Sequence, residues 1–171
     1  LQELAHTRLE GIHGRFGLMA DDRSVAPAGS RREGRERILG LLYEAESKGV
    51  PLNTVVAGLP LPLTGYAAQL APELSASIEA VDQRIEAASH RWKVARMPAI
   101  DRALLRMATF ELAERRDVPA GAIISEAVEL AGEYSTDSSS RFVNGVLARL
   151  AGELRPDEAP LTLEDDLDPD D

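Results

Sequence analysis

The spacing of its apolar residues limits most strongly what this chain can fold into. From Arg31 onward they recur at intervals of three and four, in runs cut by proline and glycine. That is the period of one helical face, not the alternation of a strand. Ile38, Leu41, Leu42 and Ala45 make the first run, closed by Gly49 and Pro51, and predict a helix over about 31–48. Residues 50–65, with Pro51, Pro60, Pro62 and Gly65, read as turns. Leu74, Ile78, Val81, Ile85 and Ala88 predict a long helix over about 73–90, with Pro72 in its first turn.

Pro98 suits the first turn of the next helix, whose face is Ile100, Leu104, Met107, Ala108 and Leu112. Pro119 stops it, because the residue before a proline is pushed out of the helical region. Ile123, Ile124, Ala127, Val128, Ala131 and Tyr134 predict a helix over about 119–134. A run of N-cap residue types, Ser135 to Ser140, then precedes a last helix carrying Phe142, Val143, Val146, Leu147 and Leu150. The expected architecture is all-α, a helical bundle of about six to seven helices.

Composition narrows the function classes. In 171 residues, 44% of them hydrophobic, there is material for one core. The absence of cysteine excludes disulfides, thiolate zinc sites, iron–sulfur clusters and cysteine nucleophiles, and fits a cytoplasmic protein. No apolar stretch approaches the ~18 residues that cross a bilayer, so no membrane association is expected. The net charge of -10 seems to oppose a polyanionic partner, but its distribution is uneven. Eight of the 29 acidic residues and none of the 19 basic ones lie in residues 156–171, which leaves 21 acids against 19 bases in the body.

Three regions follow. Residues 1–30 have weak apolar spacing and end in a flexible run, so they read as a flexible or extraneous segment. They hold no apolar stretch of signal-peptide kind, and Met19 is an alternative start. Residues 31–152 form the helical domain. Residues 153–171 read as a disordered acidic tail, either a solubility device or a competitor for a basic patch.

Motifs of catalysis are missing: no phosphate-binding glycine loop, no dinucleotide fingerprint, no nucleophile elbow and no His-Glu-x-x-His. A di-iron bundle needs paired Glu-x-x-His motifs, and only Glu10 to His13 supplies one. Glu86 and His90, four apart, read as a solvated surface pair. No enzyme activity, cofactor or metal is expected.

The arginines are the remaining signal. Arg31, Arg32 and Arg35 fall within one helical turn, with Arg37 on a neighbouring face. Such a head neutralises phosphates and stacks on unpaired bases. Against this, arginine outnumbers lysine 17 to 2 throughout, and Glu33 and Glu36 dilute the cluster. A helical oligomerisation or scaffold protein that never meets RNA accounts for the apolar faces equally well.

The runs RREGRERILGLLYEAE, RMPAIDRALLRMATFEL, DVPAGAIISEAVELAGEYST and SSSRFVNGVLARL, in this order, resemble the NusB family of bacterial transcription antitermination factors. The likeness covers roughly residues 31–152 and is most specific between Met97 and Leu150. It implies two small helical subdomains, no catalysis, and binding of single-stranded boxA-type RNA together with NusE, a ribosomal protein. It also implies a role in ribosomal RNA transcription through a complex with RNA polymerase.

By the same resemblance, Arg31, Arg32 and Arg35 match the arginine-rich head that contacts RNA, with Arg37 beside them. Arg141 and Phe142 match a second RNA-proximal patch, and Tyr43, Asp101 and Arg106 a surface facing NusE. Phe142 also reads as plain core and Tyr43 as the edge of an amphipathic helix. Asn144 and Gly145 read as helix contacts. Some relatives form homodimers. Certain ribosomal RNA methyltransferases carry a similar module, but this chain has no glycine-rich cofactor motif. The sequence departs from the family at Gly34 and Gly40, each costing ~1 kcal/mol of helix propensity and loosening the first helix, and around Pro72.

Overall fold

A computed structural model describes residues 29–90 and 92–158. Expectations for residues 1–28, among them the Glu10–His13 pair, and for the acidic residues 159–171 lie outside this range. Among the described residues the protein has six α-helices and one 3₁₀ turn: α1 (Arg31–Lys48), α2 (Leu52–Ala57), α3 (Gly65–Ala88), the turn Val94–Arg96, α4 (Ala99–Glu114), α5 (Ala120–Tyr134) and α6 (Ser139–Leu154). The chain is all-helical, as the periodicity predicts, and no described helix is long and apolar enough to cross a membrane.

Helix α1 has the strongest local signals. The Ser30 hydroxyl accepts from Glu33 N–H at 3.2 Å, and the Glu33 carboxylate accepts from Ser30 N–H at 2.6 Å, which closes a capping box. Gly49 ends the helix in the left-handed region at φ 64, and Val50 N–H reaches back to the Ala45 carbonyl. Gly34 is where α1 meets α3: a Cβ there would lie 2.7 Å from Tyr66 Cβ. Its propensity cost is offset by that close approach.

Helix α3 begins eight residues earlier than the expected start at 73, and Pro72 stands inside it rather than in its first turn. Tyr66, Ala67, Leu70, Ala71 and Leu74 are all buried, so the apolar face runs unbroken past the proline. Pro72 itself is exposed. Burial of that face outweighs the one hydrogen bond a proline removes.

Helices α1 to α3 form one group and α4 to α6 another. Helix α4 joins them, packing on α1, α3, α5 and α6. It buries eleven of its sixteen residues, including Leu104, Leu105, Met107 and Phe110. One connected core, from Ile38 to Ala151, runs through both groups.

The domain extends beyond the expected boundary at 152. Helix α6 continues to Leu154, and the next residue, Arg155, is 1% exposed. Its guanidinium donates to the carbonyls of Glu111, Leu112, Arg115 and Val118 at 2.6 to 2.8 Å. These carbonyls lie at and just beyond the C-terminus of α4, where a cation suits the helix dipole; those of Glu111 and Arg115 also accept a backbone N–H. Glu158 in turn accepts from Ala120 N–H at 2.8 Å, capping α5 where Pro119 offers no side-chain oxygen. That backbone hydrogen bond holds the Glu158 carboxyl below the usual carboxylate range.

Candidate nucleic-acid interface

The three arginines of the α1 head have different surroundings. Arg31 is half exposed, donates to Asp117 at 2.8 Å, and lies over the Tyr66 ring, 5.8 Å from its centre. Arg32 turns the other way, toward α5. It donates to Glu36 (3.3 Å), Glu126 (3.4 Å), Glu129 (2.9 Å) and Glu133 (2.8 Å). Burial alone would lower its pKa, but the charges of Glu133, Glu126 and Glu36 raise it, so Arg32 is a firmly held cation.

Arg35 is not on the surface. It is 3% exposed and clamps the buried Glu111 of α4, with Nη2 and Nε donating at 2.8 to 3.1 Å. Tyr66 of α3 donates its hydroxyl to the same carboxylate at 2.5 Å, and the Arg35 guanidinium sits 5.5 Å from the Tyr66 ring centre. Burial opposes the charge on Arg35, and the hydrogen bonds and charge of Glu111 more than restore it. Burial, then the Glu111 carboxylate, pushes the Tyr66 phenol well above its ordinary value. The resemblance implies Arg35 as a phosphate contact; Glu111 draws its side chain inward, where it ties α1 to α4 and α3. Arg37 is half-buried on α1.

The second patch lies at the start of α6. Arg141 is exposed. Phe142 is half-buried and packs against the core, as the plain reading of its apolar stripe predicts. Its ring also meets Trp92 at 4.9 Å between centres, in an edge-to-face contact at 61°. Trp92 comes from the turn before α4, and the helical periods gave no reason to single it out. The expected Glu86–His90 pair does not form. Glu86 instead accepts from Lys93 Nζ (2.7 Å) and Val94 N–H (3.1 Å), and His90 lies beside Arg149.

The residues assigned to a protein partner separate. Arg106 lies in a groove of about 700 Å³ between α1, α2, α3 and the 3₁₀ turn, floored by Leu42, Val50, Leu52 and Ile78. It forms a two-pronged pair with Asp82 at 2.7 Å and approaches Glu46 at 3.9 Å. Arg102, which the sequence did not single out, reaches the same groove and binds Glu46 through Nε at 2.8 Å. Tyr43, half-buried, precedes Glu46 by three residues on α1, so it shares this side of the molecule. Asp101 does not join them. It is 3% exposed and accepts from the hydroxyls of Ser135 (2.5 Å) and Ser139 (2.9 Å), fixing the α5–α6 turn to the start of α4. The serine-rich run thus serves Asp101, and no side chain caps α6. The resemblance implies Asp101 at the NusE-facing surface; its buried carboxylate is satisfied by those two donors and ties the helices together.

Among the described residues no group of three or more His, Asp or Glu is placed to hold a metal ion.

The NusB family profile matches residues 32–152. The chain is 42% identical over 131 residues to the transcription antitermination protein NusB of Saccharopolyspora erythraea, covering 72% of this chain and 88% of that protein. It is 40% identical over 126 residues to the NusB of Thermobifida fusca, covering 71% and 89%. A solved structure of T. maritima NusB superposes with a TM-score of 0.66 at 29% identity, over 78% of this chain and 96% of the other. The match reaches from the second residue of α1 into α6, takes in Arg32, Arg35 and the Phe142 patch, and the chain belongs to the NusB family.

Proposed function

We propose that this protein is a transcription antitermination factor that binds boxA-type single-stranded RNA together with NusE, within a complex around RNA polymerase. The observation that carries the reading is the family match over residues 32–152, with relatives named as transcription antitermination proteins. Two surface features support it. Arg31 is half exposed at the start of α1, and the carboxylate it pairs with among the described residues, Asp117, is itself exposed. Arg141 stands exposed beside Phe142 at the start of α6. The groove bearing Arg106, with Tyr43 alongside, supports a separate protein-binding face.

The test is a titration of boxA RNA by fluorescence anisotropy, with and without NusE, using the wild type and an Arg31→Ala, Arg32→Ala double variant. Arg35 is left intact because its removal would act on the fold. Binding is expected to be weak alone, tighter with NusE, and weaker as salt rises, because phosphate neutralisation releases counterions. The double variant is expected to weaken it about ten-fold or more, taking two charge-assisted contacts at roughly 1 kcal/mol each. Equal affinity for an unrelated RNA of the same length overturns the boxA assignment. No affinity for any RNA, with or without NusE, returns the protein to the scaffold reading.

A further inference from the structure

Trp92 is one of two large hydrophobic side chains exposed among the described residues, with 44% of its surface open. It is also the single tryptophan of the chain. An exposed indole forgoes the burial that normally holds tryptophan inside, and here hydrogen bonds tie the Trp92 backbone to Ser89. Trp92 N–H donates to the Ser89 carbonyl at 3.1 Å, and the Ser89 hydroxyl donates to the Trp92 carbonyl at 3.0 Å. Glu86 ties down the residues that follow through Val94 N–H and Lys93. His90 takes a positive φ of 52 to start the turn, a conformation non-glycine residues rarely adopt.

This turn lies along the outer face of α6. At one end Trp92 meets Phe142 edge to face. Seven residues on, Nη1 of Arg149 lies 3.1 Å from Nε2 of His90. Arg141 and Arg149 are exposed and form no ion pair among the described residues, unlike Arg31 and Arg32. Lys93 and Arg96 are exposed on the same turn. Two aromatic rings, one of them open to solvent and held in place, flanked by arginines without counter-charges, are what an unstacked nucleobase with its phosphates requires. A protein helix seeking an apolar face would not favour such a rim of cations.

The geometry points to Trp92, seated on Phe142 and flanked by Arg141 and Arg149, as a stacking platform for a base of single-stranded RNA. This rests on the RNA-binding reading above and adds to it a residue and a mode of contact. Stacking is tolerant of base identity, so Trp92 supplies affinity while sequence choice comes from elsewhere.

The unique tryptophan makes the test direct. Trp92 emission is recorded while boxA-type RNA is titrated in, with and without NusE, and affinity is followed separately by anisotropy of labelled RNA. The expected result is quenching of Trp92 that saturates with RNA binding. Trp92→Ala is expected to weaken RNA affinity about five-fold or more, the lower end of what stacking on one base provides. Trp92→Phe, which keeps a ring, is expected to retain most of it. If RNA binds by anisotropy while the emission stays unmoved and Trp92→Ala binds equally well, the platform is overturned and the RNA-binding reading stands. Emission that responds to NusE alone and not to RNA also overturns it, marking the turn as a protein contact. If no RNA binds at all, the broader reading has failed. The quenching measurement uses the unaltered protein, so it decides even if a variant misfolds.

Discussion

Arg35 holds Glu111 where the surrounding side chains leave 1% of the carboxylate's residue exposed. A buried ion pair is costly to assemble and costlier to halve, since the surviving charge loses both water and partner. Arg35→Ala is expected to cost roughly 3–5 kcal/mol of unfolding free energy in urea. Arg31→Ala, on an exposed pair, is expected to cost less than about 1 kcal/mol. Equal losses would show that Glu111 finds another partner. Nothing local distinguishes these arginines, because RREGR reads as one cluster on one helical turn. Their fates are set by Asp117, Glu129 and Glu111, residues 76 to 97 positions away. Asp101 teaches the same lesson. Its place at the start of α4 was legible, but its burial depends on Ser135 and Ser139, 34 and 38 positions on.

At the scale of elements, periodicity served well wherever one face alone is buried. The bounds of α1, α4 and α5 fall within a residue or two of those expected from Gly49, Pro98 and Pro119. The start of α3 was hidden because Pro72 and Gly65 signal a break, while the buried Tyr66 and Leu70 carry the helix through them. The relation between α1 and α5 was not legible, and it bears on function. Glu126, Glu129 and Glu133 rise along one side of α5 and occupy Arg32 as phosphates would. An RNA reaching Arg32 must displace them. Replacing Glu129 and Glu133 together by glutamine is therefore expected to raise RNA affinity about two- to five-fold, the worth of exposed pairs at ~0.2–1 kcal/mol. Anisotropy at low salt measures it. Unchanged affinity would mean that RNA passes Arg32 by.

For the whole molecule, net charge conceals how the charges are distributed. The -10 comes largely from the final sixteen residues, and the body is close to neutral with its cations gathered at α1 and around α6. The tail expected from residue 153 also holds an arginine, Arg155, that is buried in the core. A chain ended after residue 152 is expected to be less stable than one ended after 158 by more than about 3 kcal/mol, having left four α4-end carbonyls without their donor. Urea unfolding followed by circular dichroism compares the two, and matching midpoints would show that water replaces the guanidinium at no cost.

Arg155 also separates having all the helices from having the finished fold. The helices emerge from the ribosome with α1 first, yet the end of α4, the element that joins both halves, is finished by a residue more than forty positions downstream of Leu112. A nascent chain halted at Leu154 has all six helices spelled out but lacks the donor that closes them. The part of the chain that looks most like a tail thus supplies the hydrogen bonds that close the element joining both halves.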